Sequence, residues 1–453
     1  MPISNELLEI RAVLEADIYN GKWGLAPAIN YAIINKMAKS DADMKADIEA
    51  DGKEVLSDRK EPVRLMEPLL ISEGSRFRGE LTDLAVELAA RSAGFRRSLP
   101  EGIVTALADL VRSMNCYYSN LIEGHDTHPV DIERALKNDY VADLLKRNLQ
   151  LEAKAHIEVQ RWIDGGGLRG RATTRVGICE VHRRFGEKLP DELLWVENPD
   201  TGERIKMTPG ELRGRDVKVG QHIAISPGAL PHFLERFEQV YGNLGKTDAI
   251  LATAAAHHRL VWIHPFLDGN GRVARLMSHA MLLEALDTGA IWSVARGLAR
   301  KVADYKRGLA ECDIPRRNDL DGRGNLSEEA LARFTRFFLE ICLDQVSFME
   351  GLVEPERLRT RILLWAEEEV RLGALPAKAG SVLEALQYRG ELPRGEVGTV
   401  LGITGRHARR IVATLIARNV LVSEGSRAPL RLAFPAALAS RWMPGLFPEK
   451  VES

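Results

Sequence analysis

Apolar residues recur at helical spacing over most of this 453-residue chain. From residue 100 to 186, and again from 230 to 351, they fall three or four positions apart, which is typical of helices with one buried face. One such run is Leu107, Leu110, Val111 and Met114. The hydrophobic pattern therefore predicts a mainly α-helical protein.

The stretch from Leu189 to Gly220 breaks this pattern. Short β-prone pieces alternate there with turn residues, among them the run NPDTGE, and this combination predicts β-hairpins. A polar loop is expected from Arg316 to Asn325.

The last 80 or so residues change character again. A helix, a turn, two further helices and a pair of strand-like pieces follow one another, which is the order of a winged helix-turn-helix domain. We therefore predict an N-terminal helical region over residues 1–99, a central domain over 100–350, and a linker helix with the winged domain over 351–453.

Composition adds few constraints. The net charge is -2, with 45% hydrophobic and 28% charged residues, as in soluble globular proteins. Four widely spaced cysteines predict reduced thiols rather than a disulfide framework or a zinc site. No secretory signal or membrane span is expected, so a cytoplasmic protein is predicted.

The chemistry is concentrated in residues 264–275, HPFLDGNGRVAR. This segment places an imidazole, a carboxylate, a glycine-rich turn and two arginines between two predicted helices. The N-terminus of the second helix would direct free N–H groups and the positive end of its dipole at an anion. Phosphoryl or nucleotidyl transfer is the chemistry that these groups suit.

The same twelve residues resemble the Fic family signature HxFx(D/E)GNGRxxR at every defined position. The resemblance extends loosely over residues 100–345 and implies a Fic-type helical core with a β-hairpin flap. It also implies an enzyme that transfers AMP from ATP to a Ser, Thr or Tyr hydroxyl of a protein, itself included.

Each position of the signature has an implied role. His264 would be the general base, whose ordinary pKa suits proton abstraction near neutral pH. Asp268 would hold Mg²⁺ or Mn²⁺ with the phosphates. The anion-binding and phosphate-binding residues would be Gly269, Asn270, Gly271, Arg272 and Arg275, the last of these clamping the γ-phosphate.

A second motif lies upstream, in Ser119, Glu123 and Gly124. It matches the inhibitory-helix pattern [ST]xxxE[GN] of part of the same family, here near residues 115–124. The resemblance implies that Glu123 pairs with Arg275 and so competes with the γ-phosphate.

Three further features carry weaker expectations. Tyr305 lies where the family often has a Tyr pair near the adenine, but Lys306 replaces the second Tyr. The segment 213–222 lies at the position of the flap, which would align a target by strand pairing. His257 and His258 are expected to be structural.

The winged domain has a basic excess. From residue 371 to 453 there are 12 Lys and Arg and 6 Asp and Glu. Arg406, Arg409 and Arg410 would begin the recognition helix and Arg427 would lie at the wing tip, which suits a DNA groove. Contact with a protein fits this domain equally well.

The sequence leaves several alternatives open. The core could remove AMP, or transfer another nucleotide or phosphocholine. The protein could instead be a DNA-binding transcriptional regulator whose Fic core senses a nucleotide. The target protein, the donor nucleotide and association into a homodimer are not encoded in the motifs.

Overall fold

The computed structural model describes residues 56–197 and 202–447, and the fold is mainly helical, as predicted. Residues 1–55 of the predicted N-terminal region lie outside the described residues. The first helices are α1 (Arg78–Arg97), α2 (Glu101–Ile122), α3 (Pro129–Leu136), α4 (Leu144–Asp164) and α5 (Arg175–Gly186). They are followed by α6 (Leu230–Tyr241), α7 (Lys246–Ile263), α8 (Asn270–Ala285), α9 (Val294–Arg300), α10 (Val302–Glu311) and α11 (Glu328–Leu352).

Helix α7 is the centre of the core. Its run of alanines with Leu260 and Ile263 is buried on every side, as expected of a helix that is apolar all round. Helices α1, α6, α8 and α11 pack around it. Helix α1 therefore packs in the same core as the helices that follow residue 100.

Two short hairpins interrupt the helices. Strands β1 (Trp195–Glu197) and β2 (Arg204–Lys206) pair antiparallel, as do β3 (Lys218–Val219) and β4 (His222–Ile223). Most of the NPDTGE turn between the first two strands lies outside the described residues.

The C-terminal part contains the predicted helices and strand pair, together with two elements that were not predicted, the strand Glu391–Leu392 and the helix Ala439–Trp442. Helix α12 (Pro355–Arg371) leads to α13 (Ala379–Arg389), β5 (Glu391–Leu392), α14 (Val397–Leu401), α15 (Gly405–Ala417), β6 (Leu421–Val422), β7 (Leu430–Leu432) and α16 (Ala439–Trp442). The three strands form one antiparallel sheet in the order β5, β7, β6.

This C-terminal part packs directly on α2. The Tyr118 hydroxyl donates to the carbonyl of Leu446 at 2.8 Å, and the ring of Phe447 meets that of Tyr117 edge to face. At the other end of α2, Gly102 lies so close to Gly390 that a Cβ on Gly102 would be 2.1 Å from the Gly390 oxygen.

None of the described helices is both long and apolar enough to cross a membrane.

The Gly102 contact predicts a stability difference between two glycine-to-alanine variants. Gly102→Ala should lower the midpoint of thermal unfolding, because the new methyl group forces α2 and the Gly390 turn apart, at a cost of about 1–3 kcal/mol. Gly94→Ala, in α1 with nothing within 4 Å of its Cβ, should instead raise the midpoint slightly. Equal midpoints for the two variants, measured by circular dichroism, would contradict the close packing.

Candidate active site

The segment predicted to carry the chemistry is the connection between α7 and α8. Helix α7 ends at Ile263, and the residue that caps it, His264, has a left-handed backbone with φ of 52° and ψ of 62°. Gly269, with φ 79°, begins the turn into α8. A left-handed conformation is unfavourable for a residue with a side chain, so the surroundings must hold His264 in place.

Asn270 holds one part of this loop. Its Oδ1 accepts from the N–H of Phe266 at 3.0 Å, and its Nδ2 donates to the carbonyl of the same residue at 2.9 Å. The side chain predicted to donate to phosphate is therefore engaged with the backbone of the loop. Asn270 therefore contributes to the cavity by its position in the first turn of α8.

Arg213 holds the other part. Its guanidinium is buried and donates to the carbonyls of His264 at 2.7 Å, Arg215 at 2.7 Å and Ile225 at 2.5 Å. Its own N–H donates to the carbonyl of Pro265 at 2.9 Å. Burial lowers the pKa of Arg213 to about 10. The prediction placed this residue in the flap and gave it no such role.

His264 is half-buried at the edge of a cavity. Its Nδ1 lies 3.3 Å from the carbonyl of Val261, so a proton on Nδ1 leaves Nε2 as an acceptor. Nε2 has no hydrogen-bond partner among residues 56–197 and 202–447. Burial, followed by the positive charge of Arg213, lowers the pKa of His264 to about 3. The imidazole is therefore neutral at pH 7, as a general base must be.

The cavity has a volume of about 450 Å³ and brings the signature residues together. Its walls come from the end of α2, the second hairpin, the end of α7, the start of α8, and α10. The signature residues that line it are His264, Asp268, Gly269, Asn270, Gly271, Arg272 and Arg275, together with Glu123 and Tyr305.

Arg275 is occupied by the upstream motif. Its Nε donates to Ser119 Oγ at 2.8 Å, and one terminal nitrogen donates to Glu123 Oε1 at 2.5 Å. The Arg275 side chain is only 4% exposed, whereas that of Glu123 is 32% exposed. The two motifs, 140 residues apart in the sequence, thus meet at one guanidinium.

The Glu123 carboxylate also covers the N-terminus of α8. A Cβ added to Gly271 would lie 2.7 Å from Glu123 Oε1. Burial alone would raise the pKa of Glu123, but the charges of Arg275, Arg272 and Lys306 outweigh it and lower the pKa to about 2. A carboxylate therefore already lies where this helix end would attract an anion.

Arg272 has a buried partner that lies outside the signature. It donates to Glu152 Oε1, on α4, at 2.6 Å. The other Glu152 oxygen lies 3.2 Å from His125 Nδ1, two residues after Glu123. Burial opposes ionisation of Glu152, yet Arg272 and His125 lower its pKa. No local pattern marks Glu152, since it is one polar residue in an amphipathic helix.

Asp268 is the only predicted metal ligand. Its Oδ1 accepts from the N–H of Gly269 at 2.6 Å, and its Oδ2 lies 4.0 Å from Arg272. Over the described ranges no group of three or more His, Cys, Asp or Glu side chains is placed to hold a metal. One carboxylate beside an anion site does fit Mg²⁺, which is commonly held by one or two carboxylates plus substrate phosphates.

Tyr305 contributes less than predicted to the open cavity. It is 2% exposed, and its hydroxyl lies 2.7 Å from His257 Nε2. The Nδ1 of His257 lies 2.9 Å from Ser278 Oγ. The Tyr305 ring borders the cavity, but its hydroxyl belongs to a buried network beneath α8.

The second hairpin has the position of the predicted flap. Val219, Gly220 and His222 border the cavity. His222 Nε2 lies 2.8 Å from the carbonyl of Trp262, which ties β4 to the end of α7. The hairpin thus forms one wall of the cavity close to His264.

The arginines predicted for DNA contact are on the surface, far along the chain from this cavity. Arg406, Arg409 and Arg410 are exposed on α15, and Arg427 is exposed in the turn between β6 and β7. Arg409 donates to the carbonyl of Gly405 at 3.2 Å. None of the four forms an ion pair with another of the described residues.

Comparison with known proteins finds similar chains. Residues 173–282 match the model of the Fic/DOC family. A "Protein adenylyltransferase Fic" of Drosophila erecta is 41% identical over 173 residues, which are 36% of this chain and 32% of that protein. The protein of the same name from Drosophila willistoni is 40% identical over an equal length. The chain spans about a third of the length of these curated relatives.

Two solved structures are also similar. A Fic family protein from Desulfovibrio desulfuricans G20 has 16% identity and a TM-score of 0.48, covering 80% of this chain and 98% of its own. Fic-1 (residues 134–508) from C. elegans has 18% identity and a TM-score of 0.41, covering 59% and 74%. The match to the family model shows that this chain contains a Fic domain over residues 173–282.

The buried histidines predict how stability depends on pH. Burial is the largest cause that lowers the pKa to about 3 in His156, His257 and His264, and to about 4 in His182 and His258. An unfolded chain binds these protons near pH 6.5. The contribution of these histidines to the free energy of unfolding should therefore be fully present above pH 6.5. It should decrease as the pH falls towards 4. Urea unfolding at pH 7.5 and pH 5.5 measures this, and a midpoint that is equal or higher at pH 5.5 would refute it.

Proposed function

We propose that this protein transfers AMP from ATP to a Ser, Thr or Tyr hydroxyl of a protein, its own chain included, and that Glu123 restrains the reaction. The observation that carries the proposal is the arrangement around the cavity. A neutral imidazole with an available Nε2 lies at the edge of the cavity. A glycine-rich helix N-terminus with two arginines also lines the cavity. The names of the partial relatives agree with this activity.

In the proposed reaction His264 acts as the general base. Its Nε2 takes the proton of the target hydroxyl as that oxygen bonds to the α-phosphorus of ATP. The bond between the α-phosphorus and the bridging oxygen to the β-phosphate breaks, and pyrophosphate leaves with that oxygen. Arg213 contributes by holding the His264 carbonyl, and with it the imidazole.

The start of α8 would bind the phosphates. The N–H groups after Gly269 carry the positive end of the helix dipole, and Arg275 would hold the γ-phosphate by a bidentate contact. Asp268 would hold Mg²⁺ or Mn²⁺, which when bound neutralises phosphate charge.

The restraint follows from competition for one guanidinium. While Arg275 pairs with Ser119 and Glu123, it is not available to the γ-phosphate, and the Glu123 carboxylate would repel that phosphate at the end of α8. A single ion pair with a partly exposed carboxylate is reversible at a cost of a few kcal/mol. A carboxylate at this place also suits the activation of water, so hydrolytic removal of AMP from a modified protein, which releases free AMP, is a second activity to test for.

Replacing Glu123 tests the transfer and the restraint together. Glu123→Gly should incorporate more AMP than the parent protein, by about 10-fold or more, because Arg275 and the helix end become available. Intact-mass spectrometry after incubation with each nucleoside triphosphate and Mg²⁺ identifies the group that is added. No added mass after incubation with ATP would exclude AMP transfer. An added mass that differs from that of AMP would identify another donor.

Two controls make this result specific. His264→Ala in the Glu123→Gly background should abolish the added mass, whereas replacement of the exposed His232 should not. If Glu123→Gly and the parent incorporate AMP equally, the restraint is absent. Omission of Mg²⁺ should lower incorporation in both.

A second function, binding of duplex DNA by the C-terminal part, is favoured by its unpaired arginines. Arg389, Arg418, Arg431 and Arg441 of the same part each pair with a glutamate. Within residues 56–197 and 202–447, the four arginines on α15 and its neighbouring turn have no such ion pair. Exposed cations of this kind are available to phosphates. The four cysteines are free thiols, which fits a cytoplasmic site of action.

A gel shift with the full-length protein tests DNA binding. The parent should retard a duplex at low salt and release it as the salt concentration rises, while Arg406→Ala with Arg409→Ala should weaken binding. Replacing Arg418 and Arg441, which are already paired, is the matched control. No retardation even at low salt would leave protein contact as the role of this surface.

A further inference from the structure

A buried histidine of α5 packs against the signature loop. The ring of His182 lies parallel to that of Phe266, with the two ring centroids 3.8 Å apart and an angle of 3° between the planes. A Cβ added to Gly269 would lie 3.6 Å from His182 Cδ2 and 3.8 Å from its Nε2. The imidazole therefore contacts the loop on both sides of Asp268, the predicted metal ligand.

A backbone group determines which nitrogen of His182 carries the proton. The N–H of Gly210 donates to His182 Nδ1 at 2.8 Å, so Nδ1 is the acceptor and the proton of the neutral ring is on Nε2. Burial lowers the pKa of His182 to about 4, although the backbone of Asp268 opposes this effect. His182 is therefore a neutral donor at pH 7, with its Nε2–H on the side of the Asp268 backbone.

This donor is left without an acceptor at hydrogen-bond distance. His182 Nε2 is fully buried, and it forms no hydrogen bond within the part of the chain that the structure describes. Most buried N–H groups in folded proteins are paired, because an unpaired one is unfavourable. An unpaired donor against a loop of the active site therefore points to a partner that comes closer in another state of the protein.

The Asp268 carbonyl is an acceptor in the matching condition. Among residues 56–197 and 202–447 it accepts no hydrogen bond of ordinary length, while Arg213 and Asn270 already hold the backbone of residues 264–266. The carbonyl is close enough to His182 to raise the pKa of the imidazole against burial. A small movement of this part of the loop towards α5 would pair the free donor with the free acceptor.

We propose that His182 is a positioning residue for the divalent cation: its Nε2–H bonds to the Asp268 carbonyl when the cation and the nucleotide bind, and so directs the Asp268 carboxylate. This inference rests on the proposed AMP transfer and specifies how the chain holds the metal ligand in place. The carbonyl and the carboxylate belong to one residue, so a bond to the first restricts the backbone from which the second projects. His182 itself contacts neither the metal nor the nucleotide.

Two variants separate the roles of the two ring nitrogens. His182→Asn keeps an acceptor near the position of Nδ1 but has no donor near that of Nε2, whereas His182→Gln keeps a donor near the position of Nε2. Both are made in the Glu123→Gly protein. Calorimetry then measures the affinity for the ATP analogue with a methylene group between the α- and β-phosphorus, which cannot transfer AMP, with and without Mg²⁺. The ratio of the two affinities is the gain that the metal provides.

The two variants should differ in this gain. His182→Asn should reduce it by about 10-fold, as expected for the loss of one hydrogen bond, and His182→Gln should keep most of it. Both variants remove the ring that stacks on Phe266, so a role in packing alone would affect them alike. Equal gains in the two variants, or a larger loss in His182→Gln, would overturn the proposal.

A measurement with the histidine in place covers the case in which a variant fails to fold. In the Glu123→Gly protein the proton NMR signal of His182 Nε2–H should move downfield when Mg²⁺ and the analogue are added together, because the N–H then bonds to a carbonyl. The analogue without Mg²⁺ should move it less. A signal that stays in place when both are bound would overturn the proposal.

The binding and transfer measurements fail independently. Asp268→Ala should abolish the gain from Mg²⁺, and a gain that survives this change would refute the metal role of Asp268 and, with it, that of His182. AMP incorporation with equal gains in the two His182 variants would refute the role of His182 and leave the transfer intact. The expected difference between these variants without AMP incorporation from ATP would refute the transfer and leave the role of His182 intact.

Discussion

The site depends on the hydrogen bonds that hold the backbone between α7 and α8. Arg213 donates to the carbonyls of His264 and Pro265, and Asn270 bridges both backbone groups of Phe266. These contacts hold His264 in a left-handed conformation that its side chain disfavours. They also fix the start of α8, so the imidazole and the anion-binding helix end share one support.

Much of this arrangement could be predicted because its signal is local. The residues from His264 to Arg275 are adjacent in the chain, so their types and spacing alone indicated a base beside an anion-binding turn. The helical core could be predicted equally well, since the burial of α7 follows from its continuous apolar run. The order of elements after residue 351 was visible from turn residues and periodicity.

The contacts that tune the site were not predictable in this way. Arg213 and Glu152 lie on other elements, and each resembles an ordinary polar surface residue in the sequence. Their roles arise only when folding removes them from water and leaves particular partners within reach. The same holds for Tyr305, whose position beside the cavity was expected but whose bond to His257 was not.

The position of Glu123 at the very end of α2 has a consequence for how it can leave Arg275. Five residues earlier, Tyr118 is bound to Leu446, so tilting the whole helix would also detach the C-terminal segment. Unwinding only the last turn would leave that contact intact, but it would expose Ser119, Asn120 and Ile122, which are buried. Release of Glu123 by this route would make amide hydrogen exchange along α2 change abruptly between Tyr118 and Ser119.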